Sequence, residues 1–197
     1  MSIAPLAPEW NINSVSPVST VSDHRIYALI EPLLWPDFQS VLADNESEAL
    51  FDRTRFASVT NGPQLVLFGQ ELKKVEALQR HLESAPAGCL MMTPDHVGLH
   101  ALAESLRSRI TVTYHQAATV LRFYEPRKLV MFLGALSTEQ RQQFFPRLNR
   151  IDWYDKQWLS AQWPAGDAQC PLTHWVLEEN QVQTMTMIAN QWQGGAA

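Results

Sequence analysis

Seven consecutive residues, Leu121-Arg122-Phe123-Tyr124-Glu125-Pro126-Arg127, place two guanidiniums, a phenol and a carboxylate within reach of one another. Such a set can engage a partner protein, where Tyr and Arg carry much of the binding energy, or can lock a bend in the chain through charge-assisted hydrogen bonds. Pro126 suits the first position of a helix, and it biases Glu125 towards extended backbone. The heptapeptide therefore reads as a strand end that turns at once into a helix start, the kind of corner where open α/β folds place their sites. In the structural version, Arg122 and Arg127 are held by Glu125 or by sheet-end carbonyls, while Phe123 and Tyr124 alternate between core and surface. Residue chemistry favours that version over partner binding.

Other candidates for chemistry are thinner. His96 and His100 have the i, i+4 spacing of two metal ligands on one helix, but the glutamate that a zinc protease places beside its first histidine is missing. They read as two solvated histidines, as does His115 in a turn. Asp37, Asp95 and Glu139 fall in first helical turns, where a carboxylate interacts favourably with the helix dipole without catalysing anything. Phosphate-cradling and nucleophile-elbow motifs are absent, and only 8 glycines are available to build such loops. Trp153, Tyr154, Trp158 and Trp163 crowd one short stretch; they can fill a seam in the core or present amphipathic rings to a partner.

Periodicity supplies the elements around these residues. Residues 1–22 read as a flexible or surface-draped arm, in which Trp10 and Ile12 could dock. Strands are expected at Arg25–Ile30, Gln64–Phe68, Gly88–Met92, Ile110–Tyr114 and Thr119–Tyr124. Helices are expected after Pro36-Asp37, across Glu46–Phe51, from Gln70 to Ser84 and from Thr93-Pro94 onwards. Leu129, Phe132, Leu133 and Leu136 mark the helix after the corner, and Ser137 to Gln140 has the spacing of a capping box. A last helix spans Glu178–Trp192. Strands alternating with helices, one of them apolar throughout, predict an α/β fold with a mixed, partly parallel sheet flanked by helices. The hairpin would form its antiparallel edge. A core over residues 23–136 and a helical C-terminal lobe over 137–197 complete the expected organisation.

Composition excludes several classes. A formal charge of −5 opposes sequence-independent nucleic-acid binding, which needs clustered Lys and Arg. Two cysteines, Cys89 and Cys170, define no disulfide scaffold and read as reduced thiols. No basic segment followed by an apolar one opens the chain, and no apolar run approaches the ~20 residues that span a bilayer. The expected address is therefore the cytoplasm, without membrane insertion. A charged fraction of 18% leaves much uncharged surface, which suits a protein with a partner.

Arg-Ile-Tyr-Ala-Leu-Ile (25–30), Pro-Gln-Leu-Val-Leu (63–67), Gly-Cys-Leu-Met-Met (88–92) and the Arg-Phe-Tyr-Glu-Pro-Arg corner occur in an order that resembles the domain-of-unknown-function 4123 family, the adaptor or chaperone proteins of bacterial type VI secretion. The resemblance runs from residue 25 to about residue 160, and the corner is its most specific part. Glu125 stands where the family usually has Asp, the better N-cap because its shorter side chain reaches the first-turn N–H groups. The segment from Asp52 to Val59 matches weakly. The resemblance implies a cytoplasmic, non-enzymatic adaptor that binds a secreted effector protein and helps load it onto a VgrG-type spike protein. It implies no cofactor or metal. Arg122, Tyr124, Glu125, Arg127, Trp153 and Trp158 are the candidate partner-binding residues. The alternative is a small hydrolase or metal-dependent enzyme with dispersed site residues.

Overall fold

Strand β2 (His24–Ile30) is buried from Ile26 onwards and forms the axis of a seven-stranded sheet. The structure is a computed structural model that describes residues 6–16, 24–69, 72–166 and 174–194. The other strands are β1 (Asn13–Ser14), β3 (Ser47–Ala49), β4 (Gln64–Gly69), β5 (Gly88–Pro94), β8 (Arg150–Asp155) and β9 (Gln157–Gln162). They lie in the order β1-β9-β8-β5-β2-β4-β3, and every neighbouring pair is antiparallel. Strands β6 (Thr111–Tyr114) and β7 (Ala117–Val120) form a hairpin of their own.

The expectation of a mixed, partly parallel α/β sheet is therefore corrected. Strands β4 and β5, joined by helix α2 (Leu72–Ser84), do run in the same direction, as a β-α-β crossover requires. However, β2 lies between them and runs the opposite way, so both ladders are antiparallel. The continuous apolar run in β4, which suggests a parallel strand, arises because helices cover both faces of this sheet. Nor does the β6–β7 hairpin extend the sheet edge.

Side chains alternate between two cores. Ile26, Ala28 and Ile30 face Val75, Leu78 and Leu82 of α2, together with Trp35 and Phe38 beside the short helix α1 (Phe38–Val41). Tyr27 and Leu29 face the larger core beneath α3 (Leu99–Ile110), α4 (Pro126–Gly134), α5 (Thr138–Phe144) and α6 (Glu179–Gly194). The Tyr27 hydroxyl is satisfied there by donating to the Val97 carbonyl at 2.7 Å.

Several local expectations also change. The stretch expected as a helix over Glu46–Phe51 contains β3 instead. β5 continues through Pro94, so α3 starts only at Leu99. The expected helical C-terminal lobe is not wholly helical, because β8 and β9 form a hairpin inside the main sheet, with Ile151 and Trp153 in the larger core and Trp158 in the smaller. Cys170 lies outside the described residues. The Ser137 capping box is present, with Gln140 N–H donating to Ser137 Oγ and Ser137 N–H donating to Gln140 Oε1.

Residues 6–16 of the expected arm are built into the fold: β1 pairs with β9, and Trp10 and Ile12 are buried. Arg141, wholly buried in the middle of α5, holds them. Its guanidinium donates to Leu133 O at the end of α4, to Asn11 O at 2.9 Å and to Trp10 O. Gly134 makes room for this junction, since a β-carbon there would meet Ile188 of α6 and Trp10 at 3.0 and 3.4 Å.

Candidate functional site

The corner is assembled from two turns brought side by side by the sheet. The first follows β2. Gly88 lets β5 approach the end of that strand, because a β-carbon would collide with the Leu29 carbonyl oxygen. The Glu31 N–H then donates to Ala87 O at 2.7 Å, and the chain turns through Pro32, Leu33 and Leu34. In the second, β7 ends at Val120, and Leu121 N–H donates to Ile110 O at 2.8 Å. A turn closed by Glu125 N–H to Arg122 O, at 3.2 Å, leads into α4. Glu125 has the extended backbone that a following proline imposes (φ −84°, ψ 116°), and Pro126 occupies the first helical position.

Glu125 is the N-cap by position, yet its carboxylate caps nothing. Its Oε1 accepts from Arg122 Nε at 2.5 Å and its Oε2 pairs with Lys128 Nζ at 2.9 Å. Arg122 also lies over the Tyr124 ring, 5.6 Å from its centroid, and reaches to 3.8 Å from Glu31 Oε2. Burial works against the Arg122 charge, but Glu125, Tyr124 and Glu31 outweigh it and hold the pKa above its ordinary value.

Phe123 and Tyr124 do not alternate between core and surface; both are buried. Leaving the strand before Arg122 removes the period of two that alternation needs. Phe123 meets Phe144 and Phe145 edge-on at 6.1 and 5.6 Å, and Tyr124 meets Phe51 at 6.2 Å. Burial raises the Tyr124 pKa against the lowering influence of Arg122.

Between the two turns lies a groove of about 250 Å³, lined by Glu31, Leu33, Leu34, Arg122, Pro126 and Arg127, with Glu125 at its side. Leu33 and Leu34 are 63% and 48% exposed, although apolar. Arg127 is exposed and, among the described residues, makes no ion pair or hydrogen bond. Glu31 is the opposite: only 3% exposed, with Oε2 buried and accepting no hydrogen bond. Its pKa is raised by burial, with Arg122 pulling it down and Glu125 pushing it up.

Of the six candidate residues, the structure brings together Arg122, Tyr124, Glu125 and Arg127. Trp153 and Trp158 are elsewhere, on opposite faces of the sheet, and both are buried. Trp158 donates its indole N–H to Glu83 at 2.6 Å. Glu31, Leu33 and Leu34 were not among the candidates. One sequence signal could have found the leucines: Leu33-Leu34 is an apolar pair directly after Pro32, in a turn where neither side chain serves the core.

His96 and His100 do not share a helix, because His96 precedes α3 in a turn. His100 pairs with Glu48 at 3.0 Å, and Arg107 joins the same carboxylate at 2.9 Å. Among the described residues no three His, Cys, Asp or Glu side chains converge as metal ligands would. No helix among them is long and apolar enough to cross a membrane.

The fold and corner thus define an α-and-β domain built on an antiparallel sheet, with an open groove beside a locked strand-to-helix turn. Residues 26–143, more than half of the chain, match the family model described as Domain of unknown function (DUF4123), and the protein belongs to that family. The matched span contains the whole corner but stops short of β8 and β9, which complete the sheet beside β5. No curated protein and no solved structure matches the chain.

Proposed function

We propose that this protein is a cytoplasmic adaptor without catalytic activity of its own, which binds a secreted effector and helps load it onto a VgrG-type spike protein of a type VI secretion system. The observation that carries the reading is the corner groove. Exposed leucines rimmed by arginine are the chemistry of a protein-binding patch, in which the apolar surface marks the site and Arg supplies an anchor. The resemblance of the corner to the adaptor family supplies the biological setting. Leu33 and Leu34 lie on a turn and Arg127 on the first turn of a helix, so the groove is offered on the surface without rearrangement of the core.

Co-expression tests it. The protein, tagged, is produced with the candidate effector encoded beside it and with the cognate spike protein, and complexes are resolved by size-exclusion chromatography. A complex with the effector that is lost in Leu33→Asp/Leu34→Asp is the expected result. Migration as a free protein in the presence of both candidates would overturn the reading.

A further inference from the structure

The charges at the corner say what kind of segment the groove accepts. Arg122 and Lys128 are both engaged by Glu125, whose two oxygens are thereby used. Arg127 is left exposed without an acceptor, beside the exposed Leu33 and Leu34. Glu31 Oε2 is sunk in the wall of the same groove, 3.8 Å from Arg122 and accepting no hydrogen bond, and such a buried acceptor is costly to leave without one.

From this arrangement we infer that the groove binds a short extended peptide segment carrying a carboxylate next to a leucine-like side chain. The carboxylate pairs with Arg127, the apolar side chain covers Leu33 and Leu34, and a backbone N–H of the segment donates to Glu31. The identification of that segment as part of an effector rests on the adaptor reading; the chemistry of the segment does not.

Other occupants match less well. A basic segment would find Glu125 already doubly paired and Glu31 already faced by the Arg122 guanidinium at 3.8 Å. A phosphate polymer needs several free cations, and of the three at this corner Arg127 alone has no carboxylate partner. The groove, at about 250 Å³, falls below the ~300–1,000 Å³ usual for small-molecule pockets but has room for a side chain or two. The net charge of −5 adds selectivity, because it repels an acidic segment from the rest of the surface and leaves Arg127 as a local point of attraction.

The test uses random peptides displayed on phage, selected against the full-length protein. Selected sequences are then synthesised with a fluorophore and titrated by anisotropy against wild type, Arg127→Glu and Leu33→Asp, each first shown by circular dichroism to be folded. Enrichment of Asp or Glu adjacent to Leu, Ile or Met is expected, with affinity falling about tenfold or more in either variant and weakening with salt. Replacing the peptide's acid by Lys should restore binding to Arg127→Glu. Failure to enrich any peptide, enrichment without an acid, or variants that bind as tightly as wild type would each overturn the inference. The two proposals fail separately. Acidic peptides that need Arg127, together with no effector complex, would leave the groove chemistry standing and remove the adaptor role. An effector complex unaffected by Arg127→Glu and Leu33→Asp would do the reverse.

Discussion

Replacing Arg141 with Met tests the most consequential side chain in the fold. Methionine keeps much of the stem's volume and removes the guanidinium, which serves three backbone carbonyls: Leu133, Asn11 and Trp10. Burial lowers the Arg141 pKa to about 10, so it remains protonated at neutral pH and all its bonds are charge-assisted. Each is worth about 1.5–3 kcal/mol, and each carbonyl left buried and unpaired costs a similar amount. Two effects limit the loss. Removing a buried charge recovers part of its desolvation cost. The arm can also detach, wetting two of the carbonyls at the expense of exposing Trp10 and Ile12, roughly 1.5–3 kcal/mol each. A net loss of about 3–5 kcal/mol is expected, which for a chain of this size lowers Tm by roughly 6–20 °C. Urea unfolding followed by tryptophan fluorescence reads it directly, and native-state hydrogen exchange should show the β1–β9 pairing opened. A loss below about 1 kcal/mol, with β1 still protected, would refute the assignment of Arg141 as the clamp between arm and helix.

The two corner arginines should separate. Arg127→Ala removes an exposed side chain with no partner, so stability should stay within about 0.5 kcal/mol of wild type. Arg122→Ala removes the cation nearest the buried Glu31 and the principal partner of Glu125; a loss of about 1–2 kcal/mol at pH 7 is expected, and equal Tm values for the two variants would contradict it. Glu31→Gln should show the opposite sign. A carboxyl whose folded pKa is raised binds its proton more tightly in the folded state, so its contribution falls as pH rises from the unfolded value near 4.5 through the folded pKa. Urea midpoints of wild type and Glu31→Gln should therefore converge at low pH, with the variant gaining as pH rises; a gap that widened on acidification would show that Glu31 is stabilised as an anion.

Much of the central fold is legible in the residues. Arg25–Ile30, Gln64–Phe68 and Gly88–Met92 read as strands because β-branched and long apolar side chains cluster there, and Ser137 to Gln140 reads as a cap because its spacing has one mechanical use. Their neighbours are not legible. Whether β2 separates β4 from β5 depends on long-range pairing, which leaves no local period. The β8–β9 hairpin is hidden for two reasons. Both its faces are buried, so Trp158 and Leu159 stand side by side as apolar residues of opposite faces and break the alternation, and its turn is made by Lys156 at φ 66°, where Gly or Asn would have announced it. The same holds for the arginines. Arg109 and Arg141 lie in ordinary helical sequence, yet they are the wholly buried ones, donating to carbonyls at helix ends.

That contrast reassigns the labour of the corner. Phe123, Tyr124 and Pro126 fix its path by burial and backbone restriction, and Arg122, Glu125 and Lys128 tie its surface together. Neither arrangement needs an arginine at position 127. Its neighbours leave it unpaired on the first turn of a helix whose underside, Leu129, Phe132 and Leu133, is anchored in the core. A side chain displayed from so constrained a backbone loses only its own rotamer freedom when it meets a partner, which is what keeps a small contact worthwhile. The labour of the corner is therefore divided among its residues: Arg122 serves the turn, and Arg127 is the one the turn leaves available.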